Sequence, residues 1–314
     1  MLYLGLDIGG TFIKAGLVDE TGRIQETRRA PTAVDDLTGF LSQLTELIRE
    51  FQNTTAIDAV GIGVPGLRSS RTHTIETSPN IPCLKHINLE QLVADLVHIR
   101  VVSENDANAA AYGEFVSGAA AGLRHIAHLT LGTGLGSGFI LNGSLFTGAS
   151  GYGGEFGHTK LIVTPTGGSN TGRLCGCGKQ GCFEMYVSAT GIIMNAQEIM
   201  TQLPGSILHE LEPPLTSKKV YEAAMRGDAA AQTAFDWTGR HLGVACANLI
   251  NLLDLEMIVI GGGVMAAGEL LMRPAIEGAK YHAFPASFAD CQIVQSKLWP
   301  DAGLIGAAML ARDR

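Results

Sequence analysis

The sequence predicts an α/β fold, because short apolar strands alternate with amphipathic segments of helical period. A second observation supports this class: a strand, a glycine-rich turn and another strand occur at the start of the chain and recur after residue 122. The chain has 314 residues, of which 46% are hydrophobic and 17% charged. Such a chain can bury a large core, and we expect it to form two domains.

The first half of the chain begins with a predicted β-hairpin. An apolar strand at 2–8 ends at Gly9-Gly10-Thr11, and a second strand follows at 12–18. Residues 35–52 carry Leu, Ile and Phe on one helical stripe, which predicts an amphipathic helix. The elements predicted next are a buried strand at 59–64, an irregular loop around 78–80, a helix near 88–97 and a strand at 99–103.

The second half repeats the hairpin, with a strand at 126–131, the turn Gly132-Thr133-Gly134 and a strand at 138–141. A long helix at about 228–254 leads into a strand at 257–260 that ends in Gly261-Gly262-Gly263, and a helix at 303–312 closes the chain. There is no low-complexity linker, so the domain boundaries are expected in ordered turns. The expected domains are a small one formed by 1–119 and 301–314 and a larger one formed by 120–300.

Charge and hydropathy exclude several classes of partner. The net charge of -8 argues against nucleic acid or an acidic membrane surface, since both favour a basic face. The most apolar stretch, 242–265, contains Asn248, Asn251, Asp254 and Glu256, which would be costly in lipid. We therefore expect a buried helix and strand there, no membrane partner and a cytoplasmic protein that acts on small molecules.

The run from Cys175 to Glu184 predicts a metal site. Cys175, Cys177 and Cys182 lie within eight positions, separated by glycines that let a short loop turn its thiolates inward. With His158 upstream they form a Cys3His set suited to tetrahedral Zn2+. The alternative is a disulfide with a spare thiol, which the strained CxC ring disfavours.

The two glycine turns suggest a binding site for phosphate, because backbone N–H groups in such turns can point at phosphate oxygens. A single glycine turn in a hairpin is usually structural, but two of them, one of which follows Asp7, favour phosphate. Neither turn leads into a helix as dinucleotide and Walker motifs require. A carboxylate in an apolar strand needs solvent, a partner or a cation, and Mg2+ beside phosphate would satisfy Asp7.

A candidate base follows the strand at 99–103. Glu104-Asn-Asp-Ala-Asn108 opens an alanine-rich helix, and the simplest role for Asn105 or Asp106 is to cap that helix. If a sugar hydroxyl lies beside it, Asp106 is suited to accept the hydroxyl proton during phosphoryl transfer.

Seven segments together resemble the ROK family of bacterial sugar kinases, especially its glucokinases, over essentially the whole chain. They are LDIGGT at 6–11, VPG at 64–66, ENDANAAAYGE at 104–114, LGTGLGSG at 131–138, GEFGH at 154–158, CGCGKQGCFE at 175–184 and IGGGV at 260–264. The resemblance implies two ribonuclease-H-like lobes of the actin-like ATPase type around a central cleft.

The resemblance also implies residue roles. Asp106 would be the catalytic base. ATP, with Mg2+, would bind at Asp7, Gly9, Gly10, Thr11, Gly132, Thr133, Gly134, Gly261, Gly262 and Gly263. Sugar hydroxyls would be held by Asn80, Asn105, Asp106, Glu155, His158 and Glu184. Zinc on His158, Cys175, Cys177 and Cys182 would be structural, with the second ring nitrogen of His158 offered to the sugar.

The implied activity is ATP-dependent transfer of a phosphoryl group to the 6-hydroxyl of glucose, by a homodimer or homotetramer. Other hexoses are open alternatives, namely N-acetylglucosamine, N-acetylmannosamine, fructose and allose, and so are polyphosphate and ADP as donors. From other classes, a sugar-responsive repressor is disfavoured by the acidic charge, and a catalytically dead sensor by the presence of Asp7, Asp106 and both turns.

Two segments depart from the family pattern. Several relatives carry a lysine directly after the first glycine turn, whereas Phe12 stands there in this chain and the lysine is Lys14. The connector at 161–174 is longer and more polar than in some relatives. A lysine contact to phosphate and the shape of one wall of the sugar pocket therefore stay open.

Overall fold

The computed structural model describes residues 1–162 and 172–314. The described strands are β1 Leu2–Ile8, β2 Phe12–Asp19, β3 Ile24–Pro31, β4 Ala59–Val64, β5 Leu67–Arg68, β6 Ile75–Thr77, β7 Val101–Asn105, β8 Ile126–Leu131, β9 Leu135–Leu141, β10 Ser144–Phe146, β11 Met257–Gly261 and β12 Gln292–Gln295. The described α-helices are α1 Leu37–Gln52, α2 Leu89–Val97, α3 Asp106–Ser117, α4 Glu184–Val187, α5 Ala189–Met200, α6 Ser217–Met225, α7 Ala229–Leu253, α8 Glu269–His282, α9 Pro285–Asp290 and α10 Ala302–Asp313. Short 3-10 turns lie at Pro82–Leu84, Phe156–His158, Ile207–Glu210 and Gly263–Ala267.

The chain divides into two compact units. The first contains Met1–His128, Gly138–Gly154 and Ser296–Arg314, and the second contains Leu129–Ser137 and Glu155–Gln295. The first unit is formed by three separate segments of the chain and the second unit by two. The domain boundaries inferred from the sequence remain a prediction.

The first unit is built on a five-stranded sheet with the order β3-β2-β1-β4-β7. β1, β4 and β7 are parallel, so their carboxyl ends lie at one edge of the sheet. The register aligns Asp7 with Gly63 on β4, and Val64 with Asn105 on β7. Two segments with candidate residues, around Asp7 and around Asn105, therefore end at the same sheet edge.

Helices cover both faces of this sheet, as the alternation of side chains along β1 requires. Leu4, Leu6 and Ile8 join the core formed with α1 and α2, whereas Tyr3 joins the core formed with α10. α10 lies directly on the strands: a Cβ at Gly61 would fall 1.8 Å from the carbonyl oxygen of Ala307. The glycine in β4 thus permits the close approach of helix and sheet.

The second five-stranded sheet has the order β10-β9-β8-β11-β12, with β11 and β12 parallel. In the second unit the long helix α7 packs along α8. Asp228 caps the start of α7 by accepting a hydrogen bond from the N–H of Ala231 at 2.8 Å, and Asp254 ends the helix in the left-handed conformation. Within residues 1–162 and 172–314, no helix combines the length and apolarity needed to cross a membrane.

The predicted α/β class and most predicted elements are confirmed. The hairpin strands, the strand at 59–64 and the helices at 35–52, 88–97 and 303–312 lie within one or two residues of their expected places. The strand expected at 99–103 lies at Val101–Asn105. In the second hairpin, the strand expected at 138–141 begins earlier, at Leu135. The strand β3 was not predicted. Strands β5 and β6 form a small sheet just before the irregular loop expected around 78–80. Most of the connector at 161–174 lies outside the described residues.

Candidate active site

The first glycine turn, Gly9 to Thr11, joins β1 to β2 and is exposed. The N–H of Gly9 donates to the carbonyl of Phe12 at 2.9 Å, and the hydroxyl of Thr32 donates to the carbonyl of Gly9 at 2.8 Å. Asn80 lies beside this turn, since a Cβ at Gly10 would be 3.5 Å from the Cβ of Asn80. The turn is thus closed by its own backbone while its outer surface faces solvent.

Asp7 precedes the turn, and burial perturbs its carboxylate. Burial, followed by the negative charge of Asp106, raises its pKa from 3.8 to about 6, and the ammonium of Lys14 opposes the rise. Lys14 itself forms an ion pair with Asp301 at the start of α10. The carboxylate also packs against that helix, because a Cβ at Gly303 would lie 2.9 Å from the Asp7 carboxyl carbon. A cation would relieve the cost of ionising Asp7.

Asp106 is the first residue of α3, and its carboxylate accepts a hydrogen bond from the N–H of Ala107 at 2.9 Å. Burial raises its pKa above the ordinary value. Asn105 is the cap of the helix: its Oδ1 accepts from the N–H groups of Ala107 and Asn108, and its Nδ2 donates to the carbonyl of Gly66 at 3.2 Å. Capping therefore falls to Asn105, which leaves the Asp106 carboxylate available for chemistry.

The second glycine turn, Gly132 to Gly134, joins β8 to β9, and the N–H of Gly132 donates to the carbonyl of Gly134 at 3.0 Å. A Cβ at Gly132 would meet no atom within 4 Å. A Cβ at Gly134 would lie 2.2 Å from Oε2 of Glu184. One glycine of this turn thus borders open space, and the other lies against a carboxylate.

The third glycine segment follows β11. Gly262 has a φ of +93°, and a Cβ there would lie 2.3 Å from the carbonyl oxygen of Leu131. Only glycine fits that conformation and contact. Gly263, like Gly132, borders open space. The segment brings β11 against β8 and leaves Gly263 accessible to a ligand.

The four predicted metal ligands lie together, with donor atoms within 4.8 Å of one another. Nδ1 of His158 is 3.6 Å from Sγ of Cys175, and the sulfurs of Cys177 and Cys182 are 3.7 Å apart. A tetrahedral zinc with Zn–S of about 2.3 Å and Zn–N of about 2.1 Å requires separations of about 3.6 Å and about 3.8 Å. The donor set therefore fits zinc, and all described cysteines are free rather than in disulfides.

The surroundings of the loop that carries the cysteines also suit a Cys3His metal site. An isolated antiparallel bridge pairs Lys160 with Cys182, and the ammonium of Lys160 lies 2.7 Å from the Cys182 sulfur. A Cys3His set with Zn2+ carries a net negative charge, which this ammonium offsets. Glu155 directly precedes the short turn that carries His158, and its carboxylate lies 3.8 Å from Nε2 of that histidine.

The structure brings several of the predicted residues close together. The charge of Asp106 acts on Asp7, Asn80 lies next to Gly10, and Glu184 lies against both Gly134 and Cys175. The expected roles of these residues toward sugar and nucleotide stay predictions.

Sequence reasoning missed Asp301 and the residues that hold the second glycine turn. Asp301 pairs with Lys14 across 287 positions, and the carbonyl of Gly132 accepts from the N–H of Ala189 at 2.9 Å. The one signal for Asp301 in the sequence was its place just before a helix, where a carboxylate is common. No local pattern indicated the contact between Ala189 and Gly132.

Comparison with known proteins supplies the family. The family model described as "ROK family" matches residues 3–314. The glucokinase of Thermotoga maritima is 34% identical over 315 residues, covering 99% of this chain and 97% of the relative. The N-acetyl-D-glucosamine kinase of Salmonella typhimurium is 31% identical, covering 98% and 99%. The crystal structure of a ROK family glucokinase from Streptomyces griseus, in complex with glucose and AMPPNP, aligns over 100% of both chains with a TM-score of 0.85 and 35% identity. This chain belongs to the ROK family.

Proposed function

We propose that this protein is an ATP-dependent hexokinase that transfers the γ-phosphoryl group of ATP to the 6-hydroxyl of glucose. The observation that carries the proposal is the full-length likeness to a glucokinase solved with glucose and AMPPNP. The glucokinase of Halalkalibacterium halodurans, 35% identical over 99% of this chain, points the same way.

In the proposed reaction Asp106 accepts the proton of the sugar hydroxyl as that oxygen attacks the γ-phosphorus. The bond from the γ-phosphorus to the β–γ bridging oxygen breaks, and ADP leaves. Its position as the first residue of α3 fixes the carboxylate, and the burial that raises its pKa makes it a better proton acceptor when ionised. Phosphoryl transfer depends mainly on positioning the reactants and neutralising the charge of the phosphates. One base and a fixed phosphate site are therefore sufficient for the reaction.

The nucleotide is proposed to bind along the glycine segments. Gly132 and Gly263 border open space, which lets phosphate or adenosine atoms approach the backbone. The site of Asp7 fits Mg2+, because its buried carboxylate has a raised pKa that a cation would lower. When bound, Mg2+ would neutralise charge on the phosphate oxygens. The remaining proposed nucleotide contacts are Gly9, Gly10, Thr11, Thr133, Gly134, Gly261 and Gly262.

Sugar hydroxyls are proposed to be held by Glu155, His158 and Glu184, with Asn80, Asn105 and Asp106. The imidazole suits this role because Nδ1 faces the cysteine sulfurs, which leaves Nε2 on the opposite side of the ring. Asn105 is held in place for this role, because its Oδ1 caps α3 and its Nδ2 donates to the carbonyl of Gly66. An unpaired buried polar group costs about 1 to 3 kcal/mol, so the hydroxyls that find partners set the selectivity.

Zinc is proposed to be structural. Its four protein donors leave no open position for a substrate, as in closed structural sites. By fixing the loop, the metal would hold His158 and Glu184 in place for the sugar.

N-acetylglucosamine is the second candidate substrate, favoured by the 31% identity to the Salmonella kinase over nearly the whole chain. The test is ADP production from ATP with glucose, N-acetylglucosamine, N-acetylmannosamine, mannose, fructose and allose, compared at equal concentration. Glucose is expected to give the highest kcat/KM. A higher kcat/KM for an acetamido sugar would transfer the assignment to the second candidate, and no ADP with any hexose would refute the kinase proposal.

A further inference from the structure

The second glycine turn is held by a segment that lies far from it in sequence. Three hydrogen bonds connect the two: the N–H of Leu135 donates to Oε2 of Glu184 at 3.0 Å, the N–H of Ala189 donates to the carbonyl of Gly132 at 2.9 Å, and the hydroxyl of Thr190 donates to the carbonyl of Thr133 at 2.9 Å. The backbone groups of Gly132, Thr133 and Leu135 thus have partners within residues 184–190, and Gly134 has none there.

The exception, Gly134, is explained by the same segment. All three atoms nearest to a Cβ at Gly134 belong to the Glu184 side chain, the first at 2.2 Å. Any side chain at position 134 would displace the carboxylate from the N–H of Leu135. The glycine is therefore required by the position of this carboxylate.

The carboxylate of Glu184 also reaches the loop 175–182, which carries the three cysteines of the proposed zinc site. Oε1 of Glu184 lies 3.4 Å from the sulfur of Cys175, and Glu184 follows the metal ligand Cys182 by two residues. One side chain therefore connects the loop that carries the thiols with the turn that joins β8 to β9. We infer that Glu184 is a positioning residue for the second glycine turn, and that it keeps this turn in shape to bind the nucleotide even when no sugar is present.

This inference rests on the proposed kinase function and adds to the sugar contact assigned to Glu184 there. A sugar contact alone requires only that the carboxylate face the sugar. It gives no reason for the hydrogen bond to the N–H of Leu135, a residue that is 6% exposed, or for the missing side chain at Gly134. The positioning role accounts for both observations, since a buried N–H needs an acceptor.

The test uses two substitutions that differ in one respect. Glu184→Gln keeps a carbonyl oxygen that can accept from Leu135, whereas Glu184→Leu has a similar size and no acceptor. The affinity for ADP is measured by calorimetry without sugar, and the affinity for glucose is measured separately. We expect Glu184→Leu to bind ADP about tenfold more weakly and Glu184→Gln to stay within about twofold of the wild type, because only the former loses the hydrogen bond.

A third substitution leaves Glu184 and the sugar contacts untouched. Thr190→Val removes the hydroxyl that donates to Thr133 and is expected to weaken ADP binding about threefold with glucose affinity unchanged. Thr201→Val is the matched control, because it removes a similar hydrogen bond at the other end of α5, from the Thr201 hydroxyl to the carbonyl of Glu198. It is expected to change neither affinity.

Zinc content and thermal midpoint are recorded for every variant to separate loss of the fold from loss of the contact. If Glu184→Leu retains its zinc and its fold but binds ADP as tightly as the wild type, Glu184 serves the sugar alone and the inference is wrong. Should Glu184→Leu fail to fold, Glu184→Ala takes its place, and wild-type ADP affinity in a folded Glu184→Ala variant would overturn the inference instead. A wild-type protein that binds no ADP would refute the proposed function itself, and the inference with it.

Discussion

Replacing Asp7 by asparagine is expected to stabilise the protein at neutral pH while removing its activity. Burial, and next the charge of Asp106, raise the pKa of Asp7 from 3.8 to about 6, and the charge of Lys14 opposes this. A rise of about two units corresponds to about 3 kcal/mol, at about 1.4 kcal/mol per unit. Because the charged form is the disfavoured one, this cost is fully present above the folded-state pKa and vanishes below the unfolded-state pKa.

The cost is measurable by urea unfolding of the wild type and Asp7→Asn without Mg2+, both in a Trp237→Phe background. Unfolding is then followed by the fluorescence of Trp299, which lies in the same unit as Asp7. At about pH 7.5 the variant is expected to be more stable by about 3 kcal/mol, and at about pH 4 most of this difference should be gone, because the carboxylate is then protonated in the folded protein. Asp95→Asn, at an exposed position on α2, is the control and should change little at either pH. A variant that is less stable than the wild type at both pH values would refute the argument.

Three further predictions concern the base and the metal. Since burial raises the pKa of Asp106 and a base must be ionised, kcat is expected to fall as the pH decreases through a pKa above 3.8, and a rate that stays flat down to about pH 4 would contradict this. Cys177→Ala removes one of four zinc donors and should lower both zinc content and glucose affinity, measured by metal analysis and calorimetry; unchanged affinity in the zinc-free variant would break the link between metal and sugar site. Lys160→Met removes the ammonium beside Cys182 and should release zinc to a chelator about tenfold faster, whereas the exposed Lys179→Met should match the wild type; equal release rates in both variants would count against the role of Lys160.

The elements that could be predicted from the sequence are those whose own residues carry the signal. The strand β4 is buried along its whole length and reads as a continuous apolar run, and α7 is bounded by aspartates at both ends. The Cys3His cluster could be predicted for a similar reason, because three of its four residues lie within one short loop whose spacing nearly fixes their geometry. In each case local chemistry and the fold agree.

The features that escaped prediction depend on contacts between distant segments. β3 contains Glu26, Arg28 and Arg29 and is only partly buried, so it has neither the apolar run nor a strict alternation. The contact of Glu184 with Leu135 joins residues 49 apart, and that of Lys14 with Asp301 joins residues 287 apart. Nothing in the sequence near either partner specifies such a contact, which arises only when the fold brings the segments together.

The assignment of Asp106 as the base is tested most directly by ADP release with glucose as acceptor, compared between the wild type and Asp106→Asn, together with the glucose affinity of each. Turnover is expected to fall by at least about 100-fold in the variant, since a positioned base contributes about 100-fold to 10,000-fold, while glucose affinity stays within about threefold. A variant that releases ADP at the wild-type rate would contradict the account.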